Sequence, residues 1–392
     1  LPFNYMGLVG RATYNYDNKY MAEFNLGFNG SENFAVGNQF GVFPSFSLGY
    51  VVSEEKFFPQ TEAVTFVKLR GSYGTVGNDK IGGNRFLFLP SSFQSGGNYF
   101  LGINHTSMPG YREATLGNPN VTWEKATKLN LGIDLKFWDN KITFAADYFR
   151  EQRNDILWQL NIPITFGNPA IVAPYNIGQA ENKGYEFELG FTNTTRNGNL
   201  RYWVNANYTF ARNKIIYMDE VPQPFPGLAM TGSRIGQMKG LLADGIYNTI
   251  EEINDPNRPR SQWEGSGLRP GDIRYVDVNG DKIIDDNDRV NIGNPNIPEI
   301  IYGATFGLQW KFLEVSVFFQ GAGNVSTYLQ GEAAWPFIAG TKTAFANAEQ
   351  SWSEERYKAG LPITLPRLTA SPEAGKHNYR QSSFWMQDAS YL

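Results

Sequence analysis

Apolar and polar residues alternate strictly along several segments of about ten residues each. In one of them Leu129, Leu131 and Ile133 interleave with Lys128, Asn130, Gly132 and Asp134, and the same alternation runs through residues 184–192 and 200–210. Because a strand points successive side chains to opposite faces, each segment predicts a β-strand with one apolar and one polar face. About ten residues is the length at which a tilted strand crosses a bilayer. Charges in the middle of the polar face favour an all-β, antiparallel transmembrane β-barrel of the outer-membrane type, with lipid outside and water inside.

The pattern predicts about ten strands, arranged as five consecutive pairs. Asn, Asp and Gly at several of the joints are residues that favour tight turns. The predicted pairs are residues 8–16 with 20–28, 41–50 with 64–73, 125–137 with 141–150, 184–192 with 200–212, and 301–310 with 313–320.

The connections alternate in length along the chain. Those within pairs are mostly short, whereas long ones are predicted near residues 78–122, 154–182, 213–300 and 322–383. Outer-membrane barrels have short periplasmic turns and long external loops, so we expect these four to be extracellular loops of a single barrel domain spanning residues 1–392. A small hairpin is predicted inside the first loop, pairing residues 86–89 with 98–101.

Composition narrows the function classes. Charged residues make up 18 % of the 392 residues, aromatic residues make up 15 %, and the mean hydropathy is −0.39. The sequence has no run of about 18 apolar residues, so it predicts no transmembrane helix. A barrel needs no such run, because half of every barrel strand is polar. The net charge of −4, without a basic stripe, argues against a nucleic-acid partner. The chain has no cysteine, which excludes disulfides and thiolate chemistry within it.

One acidic segment has the spacing of a calcium-binding loop. Oxygen-bearing side chains occupy loop positions 1, 3, 5, 9 and 12, and hard oxygen ligands suit Ca²⁺. Lys282 stands where such a loop prefers glycine, and the last position holds the shorter Asp in place of Glu. The alternative is an acidic turn without metal; calcium is the one cofactor that we consider. The candidate ligands are Asp277, Asn279, Asp281, Asp285 and Asp288.

Aromatic side chains in the long loops are candidates for stacking on a sugar ring or packing on a partner protein. These residues are Trp158, Tyr175, Trp263, Trp335 and Phe337. The alternative is that they pack the loops themselves. Loops of this size need something to pack on, either one another or another chain. Outward Tyr and Phe near strand ends predict an aromatic girdle at the membrane interface, although the inner layer of a soluble sandwich would read similarly.

Charged residues on the polar faces do not by themselves indicate catalysis. Lys68, Arg70, Glu186 and Glu188 could form acid–base pairs, but a water-filled lumen needs polar groups at every inward position. The sequence contains no nucleophile elbow, phosphate-binding loop or metalloprotease motif. We therefore expect that the protein is not an enzyme.

Several phrases, in order from one end of the chain to the other, resemble the SusC/RagA class of TonB-dependent outer-membrane transporters. They are GSENF (30–34), GVFPSFSLGY (41–50), LRGSYGTVGND (69–79), GNPNVT (117–122), NKGYEFEL (182–189), IGNP (292–295), SVFFQG (316–321) and SFWMQDASYL (383–392). An ordered series of phrases is more specific than any single motif. The acidic segment falls at the expected place in the series.

The resemblance implies that the chain is a fragment of a 22-stranded barrel, with further strands after it and with the plug and the TonB-contacting segment outside it. It implies active uptake of glycans or peptides, with energy from the TonB complex and a SusD-like surface lipoprotein as a lid. The expected location is the outer membrane of a Gram-negative, Bacteroidetes-like bacterium, in contact with membrane lipid. A passive porin or a soluble, secreted all-β carbohydrate-binding or adhesion protein remains open on the strand pattern alone.

Overall fold

The computed structural model describes residues 4–59, 61–80, 85–90, 93–163, 165, 172–265, 267–338, 342–369 and 376–392, without the side chain of Glu113. Strands dominate these residues, and the two α-helices are one turn long. The strands are β1 (Tyr5–Tyr16), β2 (Tyr20–Ser31), β3 (Phe40–Val51), β4 (Val64–Asn78), β5 (Phe93–Leu101), β6 (Thr106–Glu113), β7 (Glu124–Phe137), β8 (Ile142–Trp158), β9 (Tyr175–Thr194), β10 (Leu200–Tyr217), β11 (Lys239–Gly240), β12 (Ala243–Ile246), β13 (Arg260–Ser261), β14 (Ile273–Tyr275), β15 (Ile283–Ile284), β16 (Val290–Asn291), β17 (Ile300–Trp310), β18 (Leu313–Gly323), β19 (Ser326–Tyr328) and β20 (Met386–Asp388); the helices are α1 (Ile250–Asn254) and α2 (Glu354–Lys358).

Ten strands form one large sheet in the order β1-β2-β3-β4-β7-β8-β9-β10-β17-β18. All ten strands predicted from the alternation are present, and each registered pair is antiparallel. Strands β8 and β9 are longer than predicted, so the connection between them covers only residues 159–174. The register of β8 against β9 shifts between Arg153 and Leu157, which breaks the alternation from which the strand was predicted.

The cross-strand register keeps the two faces of the sheet separate. Leu131 lies opposite Tyr148, Tyr148 opposite Tyr185, and Tyr185 opposite Phe210. These four side chains therefore form one row across β7, β8, β9 and β10 on an apolar face. The neighbouring row on the other face contains Asp147 opposite Glu186. The predicted division into an apolar and a polar face is confirmed at the level of registered pairs.

Tight turns join the strand pairs at the predicted joints. Asp17 and Asn18, with φ of 51° and 54°, connect β1 to β2, and Asp139 and Asn140, with φ of 56° and 66°, lie between β7 and β8. These connections have three residues (17–19) and four residues (138–141). Positive φ at consecutive positions is typical of such short turns between antiparallel strands, and Asn and Asp tolerate it better than most residues.

The predicted small hairpin has a different partner strand. Strand β5 pairs with β6, so that Leu101 lies opposite Thr106. Residues 86–89 form a turn closed by the amide of Leu89 on the carbonyl of Phe86, at 2.9 Å. The prediction was wrong because the pairing is local: β6 follows β5 through a four-residue connection, whereas residues 90–97 would have had to form a longer loop.

The chain divides into two compact units. The first comprises Leu1–Val221 and Ile300–Gly321 and contains the large sheet; the second comprises Pro222–Glu299 and Ala322–Leu392. The second unit has its own buried core, formed by Leu241, Ile273, Tyr275, Ile284, Leu365 and Trp385. Two long segments, separated in sequence by residues 300–321, thus pack on one another. No helix in the described part of the chain is long and apolar enough to cross a membrane.

Candidate functional site

The polar face of the large sheet carries a three-residue ion cluster. Arg70 on β4 donates through both terminal nitrogens to Asp147 on β8, each at 2.6 Å, and through Nε to Asp134 on β7 at 3.1 Å. A guanidinium fork matched to a carboxylate fixes orientation as well as position. The cluster therefore holds three neighbouring strands in one arrangement on the face that was predicted to line the lumen.

Room for this cluster comes from a glycine. Gly132 lies opposite both Arg70 and Asp147 in the register, and a Cβ built there would be 2.7 Å from Arg70 Cζ and 2.7 Å from Asp147 Oδ1. A side chain at this position would displace the ion pair. Beside the cluster lies a depression of about 460 Å³, whose lining includes Glu23, Ser47, Lys68, Ser72 and Asn130. Its lining combines these charged and hydroxyl groups with apolar groups such as Met21.

Two of the five candidate loop aromatics meet at the end of the large sheet. Trp158 is the last residue of β8 and lies opposite Tyr175, the first residue of β9. Trp158 is 41 % exposed, and Tyr175 is half-buried. The pair lies at the two ends of the connection 159–174, where an aromatic side chain can contact a ligand as well as pack against the loop. Its role in binding stays a prediction.

The other three candidates belong to the second unit. Trp263 and Trp335 pack against that unit's buried core, and the Arg380 guanidinium lies 4.5 Å from the Trp263 ring centroid. Trp335 stacks on Tyr379 at 5.2 Å, and Phe337 is half-buried with φ of 55°. Both tryptophans therefore contribute to loop packing, the alternative left open by the sequence, and both remain partly exposed.

The acidic loop is closed by its own backbone. Asp277 accepts from the amides of Gly280 and Lys282 at 2.7 and 2.8 Å, and Asp288, which is fully buried, accepts from the amides of Val278 and Asp285 at 2.8 and 2.9 Å. Lys282 takes φ of 67°, so the loop adopts the left-handed conformation at the position where glycine was expected.

The donor set of this loop is entirely oxygen, which suits a hard cation. Among the residues that the structure describes, however, no group of three or more histidine, aspartate or glutamate side chains is placed to hold a metal ion. The described carboxylates point to backbone amides of the loop. Calcium binding therefore stays a prediction, and no step of the proposed function depends on it.

A buried polar cluster in the second unit was not anticipated from the sequence. Asp272 accepts from Arg367 Nε at 2.7 Å and from Asn378 Nδ2 at 2.9 Å. His377 Nε2 lies 2.7 Å from the carbonyl oxygen of Ile273; because that oxygen only accepts, Nε2 carries the proton. Burial lowers the pKa of His377 and raises that of the Tyr275 phenol. These residues are about 100 positions apart, so no local pattern could have brought them together.

Comparison with known proteins places the chain in a family. Residues 3–391 match the family model described as "TonB dependent receptor-like, beta-barrel". TonB-dependent receptor P26 of Formosa agariphila is 29 % identical over 96 % of the chain and 38 % of its own length. TonB-dependent receptor SusC of Bacteroides thetaiotaomicron is 24 % identical over 98 % of the chain and 36 % of its own length. The chain thus spans less than two fifths of these relatives.

A solved structure has the same fold. The RagAB peptide importer in its "open-open" state superposes with a TM-score of 0.74 at 18 % identity, over 98 % of this chain and 39 % of that chain. The match supports the strand order and the large antiparallel sheet described above. The chain belongs to the TonB-dependent receptor-like β-barrel family, whose members are outer-membrane receptors and transporters and not enzymes.

Proposed function

We propose that this chain forms part of the barrel of an outer-membrane importer for oligosaccharides or peptides, which is capped by a SusD-like surface lipoprotein and energised by the TonB complex. The observation that carries the proposal is a ten-stranded sheet with one apolar and one charged face, in a chain that belongs to the TonB-dependent receptor-like family. Membership of that family favours active import over the passive porin and the soluble all-β protein.

The dimensions of the apolar face agree with a bilayer. On β10 the apolar positions run from Leu200 to Phe210, eleven residues in register with β17. At about 3.4 Å per residue and a tilt of about 45°, such a segment covers about 25 Å along the membrane normal, the height of the lipid-facing band of outer-membrane barrels. Side chains such as Leu131 and Phe306 are about half exposed on this face and would be covered by lipid.

The second unit supports capture of a ligand, because it is a folded unit of its own. Its two segments connect or follow strands of the large sheet, yet they have a separate core and two helices of their own. A packed loop unit presents a fixed surface, which binds a ligand or partner at a lower entropic cost than flexible loops would. Partly exposed aromatics such as Trp335 are the side chains that dominate protein interfaces.

The lid is tested by gentle detergent extraction of the full-length protein from native membranes, followed by native mass spectrometry. We expect a lipoprotein in stoichiometric amount, with an interface that exceeds about 1,000 Å². A barrel that emerges alone under mild conditions would contradict the capped arrangement. A self-sufficient TonB-dependent receptor would then be the better account.

Active import is tested separately in cells. Strains that carry the full-length gene, an in-frame deletion, or the gene together with a deletion of tonB are compared for uptake of labelled oligosaccharides and peptides. We expect the deletion of the gene and the deletion of tonB to lower uptake of the same ligand. Uptake that survives loss of TonB would indicate passive diffusion and would refute the proposal.

A further inference from the structure

Three cations lie side by side on the apolar face of the large sheet. Arg150 on β8 is opposite Lys183 on β9, and Lys183 is opposite Arg212 on β10. We call these residues the cationic row. All three are exposed, and the Arg150 and Lys183 side chains retain 46 % and 56 % of their accessible surface.

The cationic row lies next to an aromatic row on the same face. Tyr148, Tyr185 and Phe210 are the residues two positions away on the same three strands, and they are also cross-strand neighbours. Residues two apart in a strand share a face and are separated by about 7 Å. The Arg212 guanidinium lies 5.4 Å from the Phe210 ring centroid, which confirms that the two rows share this face.

The position of the row marks one end of the apolar face. On β10 the outward side chains are apolar up to Phe210 and then become Arg212 and Lys214. This is the end at which β8 and β10 lead into the connections 159–174 and 218–299. In the membrane placement of the proposed function, on which this inference rests, the row lies where the acyl chains of the outer leaflet end and its headgroups begin.

Two of these cations, Arg150 and Lys183, lie directly opposite each other, and directly opposed like charges destabilise a sheet. Glu181 relieves part of this repulsion, because its carboxylate accepts from Arg150 Nε at 2.7 Å and lies 3.6 Å from Lys183 Nζ. One carboxylate shared by two cations cannot neutralise both. A further anion at this row would therefore lower the electrostatic energy of the folded barrel.

We propose that the cationic row binds the phosphate of an anionic membrane-lipid headgroup, with the acyl chains of that lipid lying along the aromatic row. Guanidinium groups donate to phosphate oxygens in bidentate fashion, and lysine adds a compact charge. Tyr and Phe rings at the interface accommodate the boundary between chain and headgroup. Free phosphate shares the headgroup chemistry but has no part that the aromatic row would contact.

The experiment uses the full-length protein in detergent, titrated with lipid A in its phosphorylated and dephosphorylated forms and, separately, with inorganic phosphate. Native mass spectrometry reports the bound fraction. We expect the combined variant Arg150→Gln, Lys183→Gln, Arg212→Gln to lose at least about tenfold in affinity for phosphorylated lipid A, the effect of losing one charge-assisted contact or more. Removal of the phosphates from the lipid should lower the affinity of the native protein similarly.

Matched single variants separate the cationic row from general charge effects. Lys183→Gln removes one cation from the row, whereas Lys128→Gln removes one cation from the polar face. Lys128 lies at the same height as the row, because its neighbour Leu129 is opposite Arg150. We expect only the first to weaken lipid binding. Heat-modified electrophoretic mobility shows whether each variant is folded. If the combined variant fails to fold, Lys183→Gln is compared with Lys183→Arg, and only the charge-keeping Lys183→Arg should retain native binding.

Three results would overturn the inference: equal affinity of the combined variant and the native protein, equal affinity for both forms of the lipid, or binding of inorganic phosphate as tight as that of the lipid. The last would leave an anion site without a lipid. None of these measurements involves uptake, so loss of the lipid site and failure of the import proposal are distinguishable.

Discussion

At the scale of single residues, adjacent side chains of one strand face different surroundings. Leu131 belongs to the apolar row of β7 and is 52 % exposed, while Asn130 borders the depression on the polar face. An exposed leucine contributes little to stability in water, whereas a leucine that faces lipid lies in an apolar medium that suits it. The contributions of Leu131 and Asn130 to the free energy of unfolding therefore differ mainly in a membrane.

Leu131→Arg should lower the free energy of unfolding in lipid vesicles by about 2–4 kcal/mol if the residue lies near the midplane. Asn130→Arg should cost much less, because the polar face faces water. Equilibrium unfolding of the full-length barrel in vesicles measures both. Equal losses for the two variants would contradict the assignment of the faces.

Gly184 on β9 has no space for a side chain. A Cβ built there would overlap the carbonyl oxygen of Phe210, which is backbone of the neighbouring strand and cannot rotate away. Gly184→Ala should therefore destabilise the barrel by about 1–3 kcal/mol, the range of an overpacked site. Gly10→Ala on β1 is the matched control, since nothing lies within 4 Å of its Cβ position. A loss of stability as large for Gly10→Ala would show that the clash with Phe210 is not responsible.

At the scale of elements, the acidic loop is a turn organised by its own carboxylates. Asp285 caps the short 3₁₀ helix Asp286–Asp288, and the carboxylate of Asp288 accepts a hydrogen bond from the amide of Asp285. Lys282 holds a left-handed conformation that costs a non-glycine residue about 1–3 kcal/mol. The neighbouring hydrogen bonds, or a bound cation, must offset this cost.

If the loop binds calcium, millimolar Ca²⁺ should raise the thermal midpoint of the protein, and the ion should lie about 2.3–2.6 Å from several oxygens of the five candidate ligands. Asp281→Asn should remove the calcium-dependent part of the midpoint. Asp286→Asn is the control, because Asp286 is not a candidate ligand and pairs with Arg289 at 2.8 Å. A midpoint that does not respond to calcium, or a crystal structure from calcium-containing buffer in which these side chains face solvent, would favour the metal-free turn.

His377 should make the stability of the second unit depend on pH. Burial keeps the pKa of His377 below its ordinary value of 6.5, so the unfolded chain binds a proton more readily than the folded one. The contribution is therefore fully present above pH 6.5 and is lost as the pH falls below it. The protection factor of the Ile273 amide in hydrogen exchange, which corrects for the intrinsic pH dependence of the rate, should fall on acidification; this amide donates to Asn378 Oδ1 at 2.9 Å. In His377→Gln that loss of protection should be smaller; an unchanged pH profile would assign it to other groups.

At the scale of the whole molecule, stability resides in two places of different kind. The large sheet is held by registered strand pairs and has its apolar face exposed, whereas the second unit is held by a buried core in which Trp385 is 1 % exposed. The surroundings explain why apolar side chains lie on the surface of one unit and in the core of the other. A lipid-facing barrel does not need a buried apolar core, whereas a unit in water must bury its apolar side chains.

Trp385→Ala should destabilise the second unit by about 3–5 kcal/mol, because it removes a large buried side chain together with its hydrogen bond to the carbonyl of Asn378. Hydrogen exchange should then accelerate in β12 and β14 but not in β7–β10. Phe345→Ala, at a side chain that is 52 % exposed, should change neither. Accelerated exchange throughout the large sheet in Trp385→Ala would show that the two units unfold as one.

The strands and their two faces could be predicted from the sequence alone. A period of two is a property of neighbouring residues, and the turns depend on residues such as Asp17 and Asn140 that tolerate positive φ. Ordered phrases along the chain also indicated the family, which the match over residues 3–391 confirms. Each of these signals is local, or a sum of local signals in order.

Tertiary structure alone decided which distant groups meet. The Arg70–Asp147 pair joins residues 77 positions apart, and the Asp272–Asn378 bond joins residues 106 apart. The cationic row likewise depends on cross-strand register, because a one-residue slip would move every side chain of a strand to the other face. Loop aromatics such as Trp335 showed the same limit: their type indicated contact, but only the fold determined that Tyr379 and Trp385 are what they contact. The periodicity of the sequence specifies which way each side chain points from the backbone. Which side chains come into contact depends on the register of the strands and on the packing of the whole chain.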